Sequence, residues 1–403
     1  IYPNTKIIVY FVKCDYFYNR DEIYGNYEDN AERAIFFSKA VLELLKYIDW
    51  IPQIIHCNDW QTALIPALLK NLYNVKDPYQ NIRTIFTIHN LAYQGIFPPE
   101  KFAKTGLDPR LFAENGLEFW GKLNLMKAGI LFADILNTVS PTYALEIQTE
   151  EFGYGLESFL SKRKKKLFGI LNGIDYELWD PQTDSFIWYQ YDRNSLDRKY
   201  LNKIELQREC NLPQKDVPLI GMISRLVEQK GLDLIEAIFD EFMKLNLQFI
   251  LLGTGLEKYH KFFSKMAKKY PKKTAIFLKF DNELAHKIEA GADFFLMPSK
   301  YEPCGLNQLI SLRYGTIPIV RFTGGLADSI TDIRTSPEGK GVGFVFQNYE
   351  PQELFQIVKE ALNFYKDKRQ RIEVMKRAMQ KDFSWQVSAE KYEQLYQMVI
   401  KKS

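Results

Sequence analysis

The sequence predicts an α/β fold of two domains, each a largely parallel sheet covered by helices, and three observations carry that expectation. The chain of 403 residues exceeds the size at which one hydrophobic core keeps growing. Short apolar runs alternate with longer amphipathic stretches, as when strands are buried on both faces and helices on one. Glycine and polar clusters follow the apolar runs directly, at the carboxyl ends where open α/β sheets bind their ligands.

In the first half the strand candidates are residues 6–12, 53–57, 83–88, 134–139 and 167–171. In the second they are 218–223, 247–252, 274–279, 293–297, 317–320 and 342–346. Between the two sets, 180–200 is rich in Asp, Tyr, Asn and Ser after Pro181 and reads as irregular connecting chain. The expected division is 1–170, 171–382 and a closing segment 383–403. Residues 353–379 read as helical, and 387–400 as an amphipathic helix with Tyr392, Leu395, Tyr396 and Val399 on one face. The run from Lys162 to Lys166 reads as a solvated loop.

A hydrophobic fraction of 46% and a charged fraction of 26% are those of an ordinary globular protein. Lys and Arg number 53 against 50 for Asp and Glu, so bulk charge gives no reason to expect a nucleic-acid partner. No apolar run approaches the length of a membrane span, and no membrane partner is expected. Cys14, Cys57, Cys210 and Cys304 are scattered, with neither a Cys-x-x-Cys pair nor a zinc-like Cys/His cluster, which fits a reduced compartment. The start at Ile1-Tyr2-Pro3, followed at once by the apolar run 6–12, reads as a domain entered after its beginning.

Site candidates sit behind the strands. His89-Asn90 follows 83–88, Ser224-Arg225 through Lys230-Gly231 follows 218–223, and Gly253-Thr254-Gly255 follows 247–252. Ser299 through Leu306 follows 293–297, and Thr323-Gly324-Gly325 follows 317–320. A diphosphate leaving group needs fixed positive charge and backbone amides free to face its oxygens. Arg225 and Lys230 supply the charge, Arg as a two-donor fork and Lys as a point charge, unless they are loop cations paired with carboxylates. Gly253 and Gly255 serve a nucleotide or simply turn the chain. Glu302 either bonds sugar hydroxyls, as carboxylates do in glycosyl chemistry, or favours a helix N-terminus. His89 is a core-edge histidine or a substrate ligand. Gly-x-Gly-x-x-Gly and Gly-x-x-x-x-Gly-Lys-Ser/Thr are absent after any strand, against a dinucleotide oxidoreductase or a P-loop NTPase. Without Asp-x-Asp, no metal clamp on a diphosphate is expected.

The combination of Cys57-Asn58-Asp59-Trp60-Gln61, Thr87-Ile88-His89-Asn90-Leu91-Ala92-Tyr93-Gln94-Gly95, Leu171-Asn172-Gly173-Ile174-Asp175, Ser224-Arg225 with Gln229-Lys230-Gly231, Tyr301-Glu302-Pro303-Cys304-Gly305-Leu306 and Thr323-Gly324-Gly325-Leu326 resembles bacterial glycogen synthases and plant starch synthases. The likeness runs from about residue 15 to the C-terminus. It implies a GT-B architecture of two Rossmann-like domains with the substrate cleft between them, and a final helix returning to the first domain. It also implies transfer of glucose, with retention of configuration, from ADP-glucose (or UDP-glucose) to the non-reducing end of an α-1,4-glucan, with no cofactor and no metal. Residue by residue, Arg225 and Lys230 would bind the donor phosphates, Glu302 the glucose, and the amides of Cys304, Gly305 and Leu306 the sugar or phosphate. His89 would stand by the glucose. Asp59, Asn90, Asn172, Gly253, Thr323 and Gly324 would line the cleft, and Phe280 would stack on the adenine. The compartment would be the cytoplasm of a bacterium or the stroma of a plastid.

Two departures stand out. The family's Lys-x-Gly-Gly-Leu segment does not precede Ile1, which implies that the first strand–helix units are missing and that this portion alone is inactive. A second carboxylate found in related transferases eight positions after the first is here Ile310. The competing expectation is a glucan-binding or regulatory relative without catalytic activity.

Overall fold

The computed structural model describes residues 5–22, 25–74, 78–336 and 339–401. The chain divides into two compact units, one of 1–139, 144–169 and 393–403, the other of 140–143 and 170–392. In unit 1, strands β1 (Ile54–Asn58) and β2 (Arg83–Ile88) precede three short strands, β3 (Ile96–Phe97), β4 (Glu118–Phe119) and β5 (Lys122–Asn124). Then come β6 (Ile135–Thr138) and β7 (Leu167–Gly169). The parallel sheet runs β1-β2-β6-β7, and β3-β5-β4 forms a small antiparallel sheet.

Unit 2 holds β8 (Leu219–Ile223), β9 (Gln248–Leu252), β10 (Thr274–Phe277), β11 (Phe294–Met297), β12 (Ile317–Arg321) and β13 (Phe344–Phe346). They form one parallel sheet of order β10-β9-β8-β11-β12-β13. The chain moves outward from β8 to β10 and returns on the other side at β11. Successive connections therefore leave in opposite directions at the β8/β11 boundary, opening a crevice at the strands' carboxyl ends. Helices fill the faces by helical spacing: Leu234, Ile235, Ile238, Phe239 and Phe242 of the helix Leu232–Phe242 are all buried.

Four sequence expectations are corrected. Residues 6–12 form no strand: they pair with nothing in a sheet among the described residues, and Phe11 is 89% exposed. An apolar run becomes a strand only where a neighbour takes its ladder hydrogen bonds. The irregular stretch 180–200 ends early, because the helix Leu196–Glu209 has begun. The stretch 353–379 is two helices, Pro351–Phe364 and Lys368–Ala378, with the Asp367 side chain capping the second through the Gln370 amide. Within the basic run, Arg163 is no solvated cation; it donates to the carbonyls of Ile130, Leu131, Ala133 and Asp134 and so closes the end of the helix Leu125–Phe132. The helix Trp385–Lys401 buries Leu395 and Val399, with its last residues counted in unit 1.

One buried charge fixes the β8/β11 boundary from below. Lys203 Nζ lies 2.6 Å from Asp293 Oδ2 and donates to the Val217 carbonyl and the Tyr365 hydroxyl, both at 2.7 Å. Asp293 Oδ2 accepts the Leu219 amide at 2.8 Å, and the Asp293 amide donates to the Leu219 carbonyl at 2.8 Å. The starts of β8 and β11 are thus joined through one ion pair. Lys203→Met leaves the buried Asp293 carboxylate without its cation, with only the Leu219 amide as a hydrogen-bond partner among the described residues, and should cost about 3–5 kcal/mol. Urea unfolding followed by circular dichroism measures it, and an unchanged midpoint would contradict this role.

Candidate active site

The loops behind β8, β9, β11 and β12 lock together through their backbones. The Leu226 amide donates to the Thr254 carbonyl and the Leu256 amide to the Leu226 carbonyl, each at 2.8 Å. A Cβ on Gly253 would stand 1.9 Å from the Ser224 carbonyl oxygen, so the approach of these two loops itself requires glycine. The turn Glu228–Lys230 ends at Gly231, where φ is +69°. It binds the loop after β11: the Lys300 amide donates to the Gln229 carbonyl at 2.8 Å, and Gln229 Nε2 to the Tyr301 carbonyl at 3.2 Å.

This interlocking presents Lys230 to Glu302. Lys230 Nζ stands 2.6 Å from Glu302 Oε2, which also accepts the Ser299 hydroxyl at 2.9 Å. Glu302 is only 5% exposed. It precedes the helix Asn307–Arg313 by five positions, so the pairing with Lys230, rather than a helix terminus, accounts for it. The Glu302 carbonyl accepts the Gly325 amide at 3.0 Å, and a Cβ on Gly324 would lie 2.0 Å from that same oxygen.

The resulting cavity, about 190 Å³, lies at the β8/β11 boundary and is lined by Met222 to Arg225, Lys230, Leu296, Met297, Ser299, Glu302 and Gly305 to Asn307. Asn307 Nδ2 ties its wall to the end of β8 through the Ile223 carbonyl at 2.6 Å. Arg225 is exposed, and among the described residues no side-chain hydrogen bond or ion pair engages its guanidinium. Ser299 opens the candidate stretch behind β11 without a chemical role of its own in the sequence, and Asn307 lies just past that stretch; position after the strand is the one signal that marks either.

Of the other candidates in this unit, Leu306 and Gly305 line the cavity, while Cys304 and Thr323 are buried behind it. Burial pushes the Cys304 thiol up to about 12, an effect opposed by a hydrogen bond from the Asn172 backbone. A thiol so held is neutral at physiological pH and no nucleophile. Phe280 is not among the cavity's lining residues; it is 86% exposed, next to Asp281, whose side chain caps the helix Asn282–Gly291. Ile310 belongs to an apolar cluster with Ile174, Tyr191 and Leu309.

In unit 1, Asp59, His89 and Asn90 come together behind β1 and β2. Asp59 Oδ1 accepts the His89 amide at 2.8 Å, and His89 Nε2 lies 2.9 Å from Asn58 Oδ1. Burial raises the Asp59 carboxyl above its ordinary range, opposed by His89 and by the His89 and Asn90 amides. Asn90 Oδ1 accepts the Ala92 amide at 3.1 Å, starting the turn toward Gly95. Beneath them, His56 bridges Thr87 Oγ1 at 2.6 Å and the Tyr396 hydroxyl at 2.9 Å.

A crevice at a parallel-sheet switch point with a lysine–glutamate pair at its floor suits a phosphorylated sugar ligand, and the comparisons give the class, a glycosyltransferase of GT-B type. Residues 2–162 match the family of the starch synthase catalytic domain, and residues 203–378 match the group 1 glycosyl transferases. Glycogen synthases of Pseudothermotoga lettingae and Fervidobacterium nodosum are each 50% identical over 402 residues, spanning 99% of this chain and 82% of theirs. The catalytic domain of starch synthase IV from Arabidopsis thaliana, bound to ADP and acarbose, superposes with a TM-score of 0.88 at 39% identity, covering 95% of this chain and 80% of that one. The chain belongs to the glycogen and starch synthase family. It is a glucosyltransferase of glycogen or starch synthesis, using a nucleotide-sugar donor and a glucan acceptor. A non-catalytic binding relative is not favoured.

The His56 contacts carry a pH dependence. Burial, and secondarily the charge on His89, lower its pKa from 6.5 to about 4. The unfolded chain therefore takes up this proton before the folded chain does, and stability falls as pH drops from 6.5 to about 4. Below that window this group adds no further loss. His56→Gln should flatten that part of the urea-midpoint profile; a variant losing stability as steeply as the parent would contradict the assignment.

Proposed function

We propose that the protein transfers glucose from ADP-glucose to the non-reducing end of an α-1,4-glucan with retention of configuration, using Arg225 and Lys230 on the diphosphate and Glu302 on the glucose. The observation that carries this reading is the Lys230–Glu302 contact of 2.6 Å at the floor of the β8/β11 cavity, with the unengaged Arg225 guanidinium on its lining. Ammonium has three N–H donors, and Glu302 uses one, which leaves two for phosphate oxygens. Both Lys230 and Ser299 engage Oε2 of Glu302, which leaves Oε1 to accept from sugar hydroxyls. Charge developing on a departing diphosphate is then met by cations already in place, the arrangement that lowers a barrier most effectively.

In the reaction, the bond from glucose C1 to the phosphate oxygen breaks and a bond from C1 to the acceptor oxygen forms on the same face. The departing phosphate takes the proton of the attacking hydroxyl, so no covalent nucleophile is required. The reading assigns His89 to the glucose, Asp59, Asn90, Asn172, Gly253, Thr323 and Gly324 to the lining around the substrate, and the amides of Cys304, Gly305 and Leu306 to sugar or phosphate oxygens. It also assigns exposed Phe280 to the adenine. ADP is preferred over UDP because the Arabidopsis starch synthase IV relative is an ADP complex.

Two measurements test this. Lys230→Ala should lower kcat/KM for ADP-glucose roughly 100- to 1,000-fold, the usual cost of one transition-state donor, and parental rates would remove the phosphate role. Initial rates with labelled ADP-glucose should exceed those with UDP-glucose on a glycogen primer; the opposite order would overturn the donor assignment.

A further inference from the structure

Unit 1 carries a second feature that the transfer chemistry does not use. Strands β4 and β5 are joined by the two-residue turn Trp120-Gly121, with φ of +50° and +77°. Positive φ at both turn positions is the hairpin geometry that Asn-Gly or Gly-Gly fills most easily. A tryptophan there is disfavoured by its Cβ, yet Trp120 is 78% exposed and so contributes little to the core. The same combination recurs at Tyr154-Gly155, with φ of +50° and +81° and Tyr154 partly exposed. Trp120 and Tyr154 are two of only four non-glycine residues with positive φ among those described.

The two turns meet. A Cβ on Gly155 would lie 2.9 Å from the Trp120 ring and 2.8 Å from the Phe119 ring, and the Phe119 and Trp120 rings are 4.3 Å apart at an interplanar angle of 31°. Buried polar side chains hold both turns from behind. Lys127 Nζ donates to the Glu114 and Glu118 carbonyls at 2.6 and 2.5 Å, fixing the approach to the hairpin. Gln94 Nε2 donates to the Tyr154 carbonyl at 3.1 Å, while Asn124 Nδ2 donates to Gln94 Oε1 at 2.6 Å. Gln94 ends the loop that begins at His89, so the loop presenting the histidine also supports the aromatic turn.

An exposed aromatic ring held rigidly in an unfavourable backbone conformation points to a ligand that stacks on it. The family's acceptor is a polymer of glucose rings, each offering a face of C–H bonds, which matches a flat aromatic surface better than it matches a charged or elongated apolar partner. We propose that Trp120, with Tyr154 beside it, is a binding platform for the α-glucan chain. The inference rests on the glucan-synthase reading for its ligand.

The test uses Trp120→Asn, because Asn-Gly suits this turn and removes the ring without disturbing the hairpin. Its thermal midpoint should equal or exceed the parent's. In native gels containing glycogen its dissociation constant should rise roughly tenfold, the loss of one well-packed aromatic contact, with a smaller rise for Tyr154→Ala. Unchanged retardation in Trp120→Asn overturns the platform, as does loss of a dimer in sedimentation without loss of glycogen binding, since the ring would then cover a second copy of the chain. Retardation requires no turnover. A parent protein that binds glycogen through Trp120 but transfers no glucose keeps this proposal and defeats the catalytic one; transfer with unaltered glycogen binding in Trp120→Asn does the reverse.

Discussion

Unit 2 depends on main chain meeting main chain. Behind its sheet, the loops following β8, β9, β11 and β12 approach until no Cβ fits between them, as the Ser224 carbonyl at Gly253 and the Glu302 carbonyl at Gly324 show. Backbone contacts of this kind have no rotamers, so they leave the side chains they carry little freedom of position. That is how two residues seventy-two positions apart in the sequence, Lys230 and Glu302, come to share a hydrogen bond. A loop with side chains between it and its neighbour could be repacked; a loop seated on a carbonyl oxygen cannot move without breaking the contact.

The ion pair at the centre of this arrangement is poor evidence of a device for stability. Burying two charges costs desolvation that their attraction only partly repays, and an apolar pair of similar volume would serve a core as well. Lys203 and Asp293, under the same sheet, bear that cost while saturating each other with backbone partners at the strand starts. Lys230 and Glu302 are different, because they lie at the strand ends, face a cavity and retain unused donors and acceptors. A pair left unsaturated at the open end of a sheet is organised for a third group, and a diphosphate-linked sugar presents both a negative charge and hydroxyls.

Much of this was legible in the sequence, for a physical reason. Long strands buried on both faces leave continuous apolar runs, and the runs at 83–88 and 218–223 mark β2 and β8 nearly to the residue. The three strands β3, β4 and β5 escaped, since two or three residues cannot establish a period of two. The segment 6–12 misled because composition reports burial only when a partner exists, and none pairs with it among the described residues. In the site, Arg225, Lys230 and Glu302 could be picked out because polar residues after apolar runs are conspicuous. Their pairing could not, since it is set by how the loops seat on one another. Ser299 shares that fate: it is an ordinary serine until the fold brings it beneath Glu302.

Unit 1 reaches comparable precision by another route, through side-chain polar atoms. Asp59 adopts φ +56°, a conformation that a short polar residue tolerates better than most, and its carboxylate receives the amide that begins the His89 loop. His56 and Thr87, one strand apart, are joined directly, and Asn137 Nδ2 donates to Thr87 from the next strand at 3.1 Å. The sheet is thereby stitched across three strands just below the histidine. Such a network holds its shape only while every member keeps its protonation state, which is why the neutral form of His56 matters here, whereas the approaches of Gly253 and Gly324 in unit 2 are made to backbone carbonyls that do not titrate. A backbone lock suits a cavity that must receive strong negative charge without reorganising, whereas a polar lattice suits a loop that presents a single imidazole in one orientation.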